Sequence, residues 1–429
     1  MADLPPRRRA KPVTSAAQQA SQDRAGYLRG ICELLWPAPA LAELAARAPR
    51  ATSCDVSMIV LPGLRNPRLV VPAERRPAAA AVRRYGEPGS ARSAVATRAL
   101  SAALASGIAS RLLRDRVTVR VPPGAETIES RLSSMLGQRV VVGVHLGAAR
   151  ANRKPVLQLL TSAGETIGFA KVGVNALTSD LVRGERDALT RLHAVGLRQL
   201  CAPRVLGHDS WNGLEILALS ALPVWRKRTP LRPGQLDLAM TEVAGLAGIT
   251  ESPLAASEYW PVLRARLDAA GDGPEHGPLA SALGELADLA GAATFSFGSW
   301  HGDWTPWNMA CTDGGLLVWD WERFTHPAPV GYDALHFWLQ AEVTGNRRDP
   351  ARAAAGCVRQ APGLLLPFAV PERQARLTAL LYLADLSVRY VADRQEQAGA
   401  KLGAPRTWLL PALTAGIGEL TASPTREDD

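Results

Sequence analysis

No stretch of this chain of 429 residues is apolar for long enough to cross a bilayer. The best candidate, Leu377 to Leu386, is short and is interrupted by Asp385. The first residues, Met1 to Arg9, carry charge but no hydrophobic segment follows them, so no signal peptide is expected. Cysteine is scarce too. Cys32, Cys54, Cys201, Cys311 and Cys357 are odd in number, far apart and never in a Cys-x-x-Cys pair. That pattern excludes a disulfide framework and a thiolate zinc site, and points to reduced thiols in a cytoplasmic protein. The seven histidines (His145, His193, His208, His276, His301, His326 and His336) form no cluster with metal-ligand spacing. No His-Glu-x-x-His and no Gly-x-Ser-x-Gly occurs, which argues against zinc peptidases and serine hydrolases. Equally absent are Gly-Lys-Ser/Thr and Gly-x-Gly-x-x-Gly, the marks of P-loop and dinucleotide-binding folds.

What is present is a globular composition. Hydrophobic residues make up 47%, and the length exceeds one typical domain, so a large core can be buried. The net charge of +9 is unevenly spread. Residues 1–220 hold 31 Lys and Arg against 16 Asp and Glu, or +15, whereas residues 221–429 hold 18 against 24, or −6. A basic half suits phosphate, and it also suits nucleic acid. The nucleic-acid reading is the weaker, because the cations are scattered among Ala and Pro without a recognisable binding motif.

Residues 1–25 lack periodicity and are expected to be a disordered basic tail. Residues 26–120 are expected to form an accessory region. Within it the pattern predicts one or two helices from Tyr27 to Arg47, a strand pair at Ser57–Leu61 and Arg68–Val71, and helices at Pro77–Tyr85 and Ser93–Arg114. From residue 121 the order changes. A short helix over Thr127–Leu136 precedes three strands at Arg139–Val144, Val156–Leu160 and Thr166–Lys171. A helix from Asp180 to His193 follows, and Leu214–Leu219 is an apolar strand before Ser220-Ala221-Leu222-Pro223. Residues 221–429 are mostly helical by pattern.

One stretch organises the rest: Trp300-His301-Gly302-Asp303-Trp304-Thr305-Pro306-Trp307-Asn308, then Leu316-Leu317-Val318-Trp319-Asp320-Trp321-Glu322. An Asp, an Asn five residues on, and a second Asp closing an apolar run make a phosphoryl-transfer layout. One carboxylate must meet the attacking hydroxyl, and hard oxygen ligands must hold Mg²⁺ against the nucleotide phosphates. A hairpin turning at Thr312-Asp313-Gly314-Gly315 sets the distance between Asn308 and Asp320.

The stretch resembles the catalytic loop and metal-binding segment of the aminoglycoside phosphotransferase and choline kinase superfamily. The resemblance is clear over roughly residues 120–340 and weaker beyond. It implies an α+β, two-lobed protein-kinase-like fold with an N-terminal extension, a small lobe over 121–220 and a large lobe over 221–429. It implies Asp303 as catalytic base, Asn308 and Asp320 as metal ligands, and Asp333 and His301 as structural residues. It further implies that Lys171 holds nucleotide phosphates, that Glu185 fixes the Lys171 ammonium, and that a hinge near Ser220–Pro223 meets adenine through its backbone. The loop Leu146 to Pro155 has one glycine, Gly147, where protein kinases have three. Backbone amides at Gly147 and Ala148 can still approach phosphate. Arg150 or Lys154 either adds charge there or belongs to a solvated basic turn.

The expected function is transfer of the γ-phosphoryl group of ATP, with Mg²⁺, to a hydroxyl of a small molecule, without membrane or nucleic-acid partners. Glu322 is a weaker candidate for a second metal, through water. Five of the eleven tryptophans lie between Trp300 and Trp321. Trp304 and Trp307 either fill the core or wall an acceptor pocket, where an indole face suits a sugar ring or an amine. With the −6 charge of the second half, this points to a sugar, aminocyclitol or amino alcohol. The rival reading is a nucleotide-binding scaffold of the same fold that has lost turnover.

Overall fold

The computed structural model describes residues 14–46, 55–84, 91–148 and 150–422. The chain divides into two compact units, Met1–Gly147 with Lys154–Lys171, and Ala148–Arg153 with Val172–Asp429. The first is built on strands and the second is mainly helical, so the α+β expectation is met.

In the first unit the elements are α1 (Thr14–Leu35), β1 (Leu41–Ala45), β2 (Asp55–Leu61), β3 (Leu69–Pro72), α2 (Arg75–Arg84), α3 (Ala91–Ser106), α4 (Ile108–Leu112), β4 (Arg116–Arg120), α5 (Ile128–Leu136), β5 (Val141–His145), β6 (Val156–Leu160) and β7 (Thr166–Gly173). The strands run in the order β1-β4-β2-β3-β5-β6-β7, each pair antiparallel. Ile59, Leu61, Leu69 and Val71 on one face of the sheet pack against the alanines of α2 and Leu104 of α3.

Four expectations change here. Residues 1–13 of the expected tail lie outside the described residues, while residues 14–25 begin α1. Leu41–Ala45, read as helix from its Leu and Ala, is a strand because it pairs with β4 from Leu41↔Arg120 to Ala45↔Arg116; tertiary pairing overrides a weak propensity. Residue 120 marks no boundary: β3 hydrogen-bonds to β5, so the N-terminal region is part of the same sheet as the strands that follow. The helix expected over Ser93–Arg114 is broken at Gly107, whose φ of +81° puts it in the left-handed region.

The second unit contains α6 (Ala176–Val195), β8 (Leu200–Cys201), the antiparallel pair β9 (Val205–Trp211) and β10 (Leu214–Ser220), α7 (Gln235–Ala244), β11 (Thr250–Pro253), α8 (Tyr259–Ala269), α9 (His276–Ala290), β12 (Thr294–Trp300), β13 (Met309–Thr312), β14 (Gly315–Val318), β15 (Thr325–Pro329), α10 (Tyr332–Gln340), α11 (Pro350–Leu365), α12 (Glu372–Ala392) and α13 (Leu409–Ala422). Two small sheets position the motif stretch. One is β11-β12-β15, with the proline-bearing β15 at its edge, where a missing N–H breaks no ladder. The other is the β13-β14 hairpin, with β8 added in parallel.

α12 explains the most apolar run of the sequence. Every residue from Leu377 to Val388 is buried, as in a helix enclosed by its own core, and Asp385 within it meets Arg266 at 3.2 Å. Among the described residues no single helix is long and apolar enough to cross a membrane; α11 and α12 pass that test only as a pair bent by 114°.

Candidate active site

β12 delivers the chain to His301-Gly302-Asp303, and β14 delivers it to Asp320. His301 is fully buried, and burial holds its imidazole down at about 4, so the ring is neutral. Its Nδ1 accepts from the Asp303 N–H at 3.1 Å, which leaves Nε2–H to donate to the Trp319 carbonyl, also at 3.1 Å. One ring therefore ties the Asp303 loop to the residue before Asp320. Asp333, in the first turn of α10, accepts from the His301 amide at 2.8 Å and the Gly302 amide at 3.3 Å. Burial raises its carboxyl to about 7, although those two amides act the other way. Arg389 of α12 donates to the Gly302 carbonyl at 2.5 Å and lies 5.6 Å over the Trp300 ring. The structural roles expected of His301 and Asp333 are those of loop holders, and these contacts are what such roles require.

Asp303 projects from this scaffold. Its Oδ2 accepts from Asn308 Nδ2 at 3.0 Å, and the same Nδ2 also reaches the Asp303 carbonyl at 2.9 Å. Oδ1 meets His336 Nε2 of α10 at 3.1 Å. Burial pushes this carboxyl up, but the His336 hydrogen bond, together with the electrostatic pull of His336 and Arg389, holds it below the usual aspartate range. Asp303 is thus an anion with 36% of its side chain exposed, whereas His336 behind it is 1% exposed.

Asn308 is buried, and with its Nδ2 committed to Asp303, its Oδ1 accepts no hydrogen bond among the described residues. Asp320 follows β14 with φ +73°, a left-handed conformation that Asp tolerates better than most residues. Glu185 on α6 is fully buried and accepts from the Trp321 N–H at 3.2 Å. α6 is fixed at its start by a capping box, with Thr178 N–H on Asn175 Oδ1 at 2.9 Å and Asn175 N–H on Thr178 Oγ1 at 3.0 Å, worth about 1 kcal/mol. One carboxylate oxygen each from Glu185, Asp320 and Glu322 lie within 4.8 Å of one another. Such an all-oxygen set fits a hard divalent cation such as Mg²⁺, and Asn308 Oδ1 is of the same donor type. The segment 148–153 belongs to this unit as well: Asn152 donates to Glu322 at 3.2 Å, and the Ala151 amide donates to Gln395 at 3.4 Å.

Of the residues singled out from sequence, Asp303, Asn308, Glu185, Asp320 and Glu322 all belong to this unit. Lys171, on β7, and Gly147, just after β5, belong to the other. A Cβ on Gly147 would meet nothing within 4 Å, so no protein neighbour demands glycine there. Trp304 is fully buried against His301 and Trp321 and is core, not pocket wall; Trp307 is 42% exposed. His336, Tyr382 and Arg389 were not singled out. A signal existed for His336, which stands one helical turn after Asp333 and hence on the same face of α10.

No family model matches the chain, and no curated protein does. In structure it is similar to solved small-molecule kinases. A Thermobifida fusca protein assigned as a fructosamine-3-kinase aligns over 69% of this chain and 100% of its own at 18% identity and a TM-score of 0.40. An aminoglycoside phosphotransferase aligns over 69% and 100% at 13% and 0.46. A choline kinase from Streptococcus pneumoniae aligns over 68% and 98% at 16% and 0.41. Identities this low assign neither acceptor nor nucleotide.

Proposed function

We propose that this chain is a small-molecule kinase that transfers the γ-phosphoryl group of ATP to a hydroxyl of a sugar, aminocyclitol or amino alcohol. The observation that carries the reading is Asp303: an ionised, part-exposed carboxylate whose two oxygens are each held by a donor. A carboxylate that only capped a loop would have no need to stay open to solvent, charged and fixed in plane. Held this way it can meet an acceptor hydroxyl, orient its oxygen and accept its proton as that oxygen attacks phosphorus and ADP leaves. A nucleotide-binding scaffold without turnover has no use for such a base.

Mg²⁺, when bound, would bridge and neutralise phosphate oxygens. Asn308 and Asp320 are the residues proposed to hold it, with Glu185 and Glu322 close enough to Asp320 to contribute charge. Lys171 is proposed to seat the nucleotide phosphates, and the Gly147 backbone to approach them. The excess of acidic residues after residue 220 favours a neutral or cationic acceptor over an anionic one. The test combines binding and chemistry. ATP with Mg²⁺ is expected to raise the melting temperature through linkage, and a panel of hydroxyl compounds is expected to contain at least one that gains a phosphate by mass spectrometry. Absence of any shift with ATP or GTP and metal would refute an intact nucleotide site.

A further inference from the structure

The side chains behind Asp303 form a linear chain of hydrogen bonds whose proton order can be read from their chemistry. In the proposed reaction Asp303 is the base and only accepts, so His336 Nε2, 3.1 Å from Oδ1, carries the hydrogen. Burial lowers the affinity of His336 for a second proton, which leaves its Nδ1 bare as an acceptor. Tyr382 OH lies 2.9 Å from that Nδ1, and burial keeps the phenol protonated, so it donates. The order is therefore Tyr382 O–H to Nδ1, then Nε2–H to Asp303. Aromatic rings flank the imidazole. Trp300 packs edge-on against His336 with centroids 6.4 Å apart, and Tyr382 does so at 6.0 Å, while Trp300 also abuts Tyr332 and Tyr382.

We propose that His336 is a positioning residue for Asp303, with Tyr382 selecting its tautomer. This rests on the reading of Asp303 as the base. Asn308 fixes one carboxylate oxygen and His336 the other, so the carboxylate plane is set before any acceptor arrives. A base fixed in this way needs no reorientation during transfer, which is where preorganisation lowers a barrier. Loss of His336 should therefore act on the chemical step, leaving nucleotide binding intact.

The test compares His336→Gln, His336→Leu and Tyr382→Phe with the unaltered protein, using ATP, Mg²⁺ and the acceptor found in the hydroxyl panel. Gln places an amide N–H near the Nε2 position, whereas Leu places none. The expected result for His336→Leu is a kcat lowered by roughly 10-fold to 10²-fold, with the ATP KM and the ATP-induced melting shift unchanged. His336→Gln should recover most of that loss although it packs no better than Leu, and Tyr382→Phe should lose a smaller part. A purely structural role would lower melting temperature and kcat together and give Gln no advantage; either result overturns the proposal. A second measurement is independent of turnover. The ¹⁵N shifts of the His336 ring should report a neutral imidazole protonated on Nε2. Protonation on Nδ1, or on both nitrogens, overturns the clamp even in a fully active protein. Failure of every hydroxyl compound to gain phosphate with this tautomer in place would instead refute the kinase reading.

Discussion

The carbonyl oxygen of Arg323 occupies the space where a side chain on Gly302 would begin: a Cβ there would lie 2.2 Å from it, at a φ of +83°. The loop before Asp303 and the turn after Asp320 therefore interlock through a contact that only glycine permits. Gly302→Ala is expected to destabilise the fold by more than about 2 kcal/mol, since left-handed strain and a backbone clash add. Thermal unfolding measures it, and an unchanged melting temperature would show that the two segments move apart freely.

Asp333 holds the same loop from below. Asp333→Ala strands the His301 and Gly302 amides, at about 1–3 kcal/mol for each buried unpaired donor. Asp333→Asn keeps one acceptor and should cost less. The native carboxyl lies near 7, above its ordinary value, so protonation favours the folded state. Its contribution is complete below the ordinary aspartate range and is lost as pH rises through about 7. The penalty of Asp333→Asn relative to the native residue should therefore be larger at pH 5 than at pH 8. Denaturant midpoints at the two values check the sign, and a penalty that grows with pH would contradict it.

The carboxylates of Glu185, Asp320 and Glu322 make a third expectation specific. A chelator should abolish most of the melting shift that ATP induces in the presence of Mg²⁺. Asp320→Asn should do the same with the metal present, because Asn tolerates the left-handed backbone at this position and removes only charge. A full ATP shift in Asp320→Asn would place the metal elsewhere.

The two tryptophans of the loop should separate cleanly. Trp304→Ala opens a cavity in the core and is expected to cost about 3–5 kcal/mol. Trp307→Ala removes an exposed ring and should change stability by only about 0.5 kcal/mol or less. If Trp307 walls the acceptor site, the acceptor KM rises while the ATP KM holds. Steady-state kinetics distinguish this from an idle surface residue, for which neither moves.

The parts legible in the sequence are local. The β13-β14 hairpin follows from its Asp-Gly-Gly turn between two short apolar runs, and Thr127, expected to start α5, is its N-cap. The spacing of Asp303, Asn308 and Asp320 is local too, so the pattern alone makes them candidates. What escaped is set by distant partners. Leu41–Ala45 becomes a strand through residues 116–120, and Thr325–Pro329 becomes one through β12, despite prolines that usually argue against it. His336 and Tyr382 are 33 and 46 residues from their respective partners Asp303 and His336, separations no motif spans. The buried charge pair of Arg323 with Asp393 is hidden for the same reason.

The most direct measurement is phosphate gain by the hydroxyl panel under Asp303→Asn. Asn keeps the size of Asp303 and can still accept hydrogen bonds through its one oxygen, but it cannot take the acceptor's proton. The expected result is an unchanged ATP·Mg²⁺ melting shift together with transfer slowed by about 10² or more. Transfer by Asp303→Asn at the rate of the unaltered protein would contradict the assignment of the base. Phosphate gain by protein or nucleic acid, with every small hydroxyl compound untouched, would contradict the acceptor class.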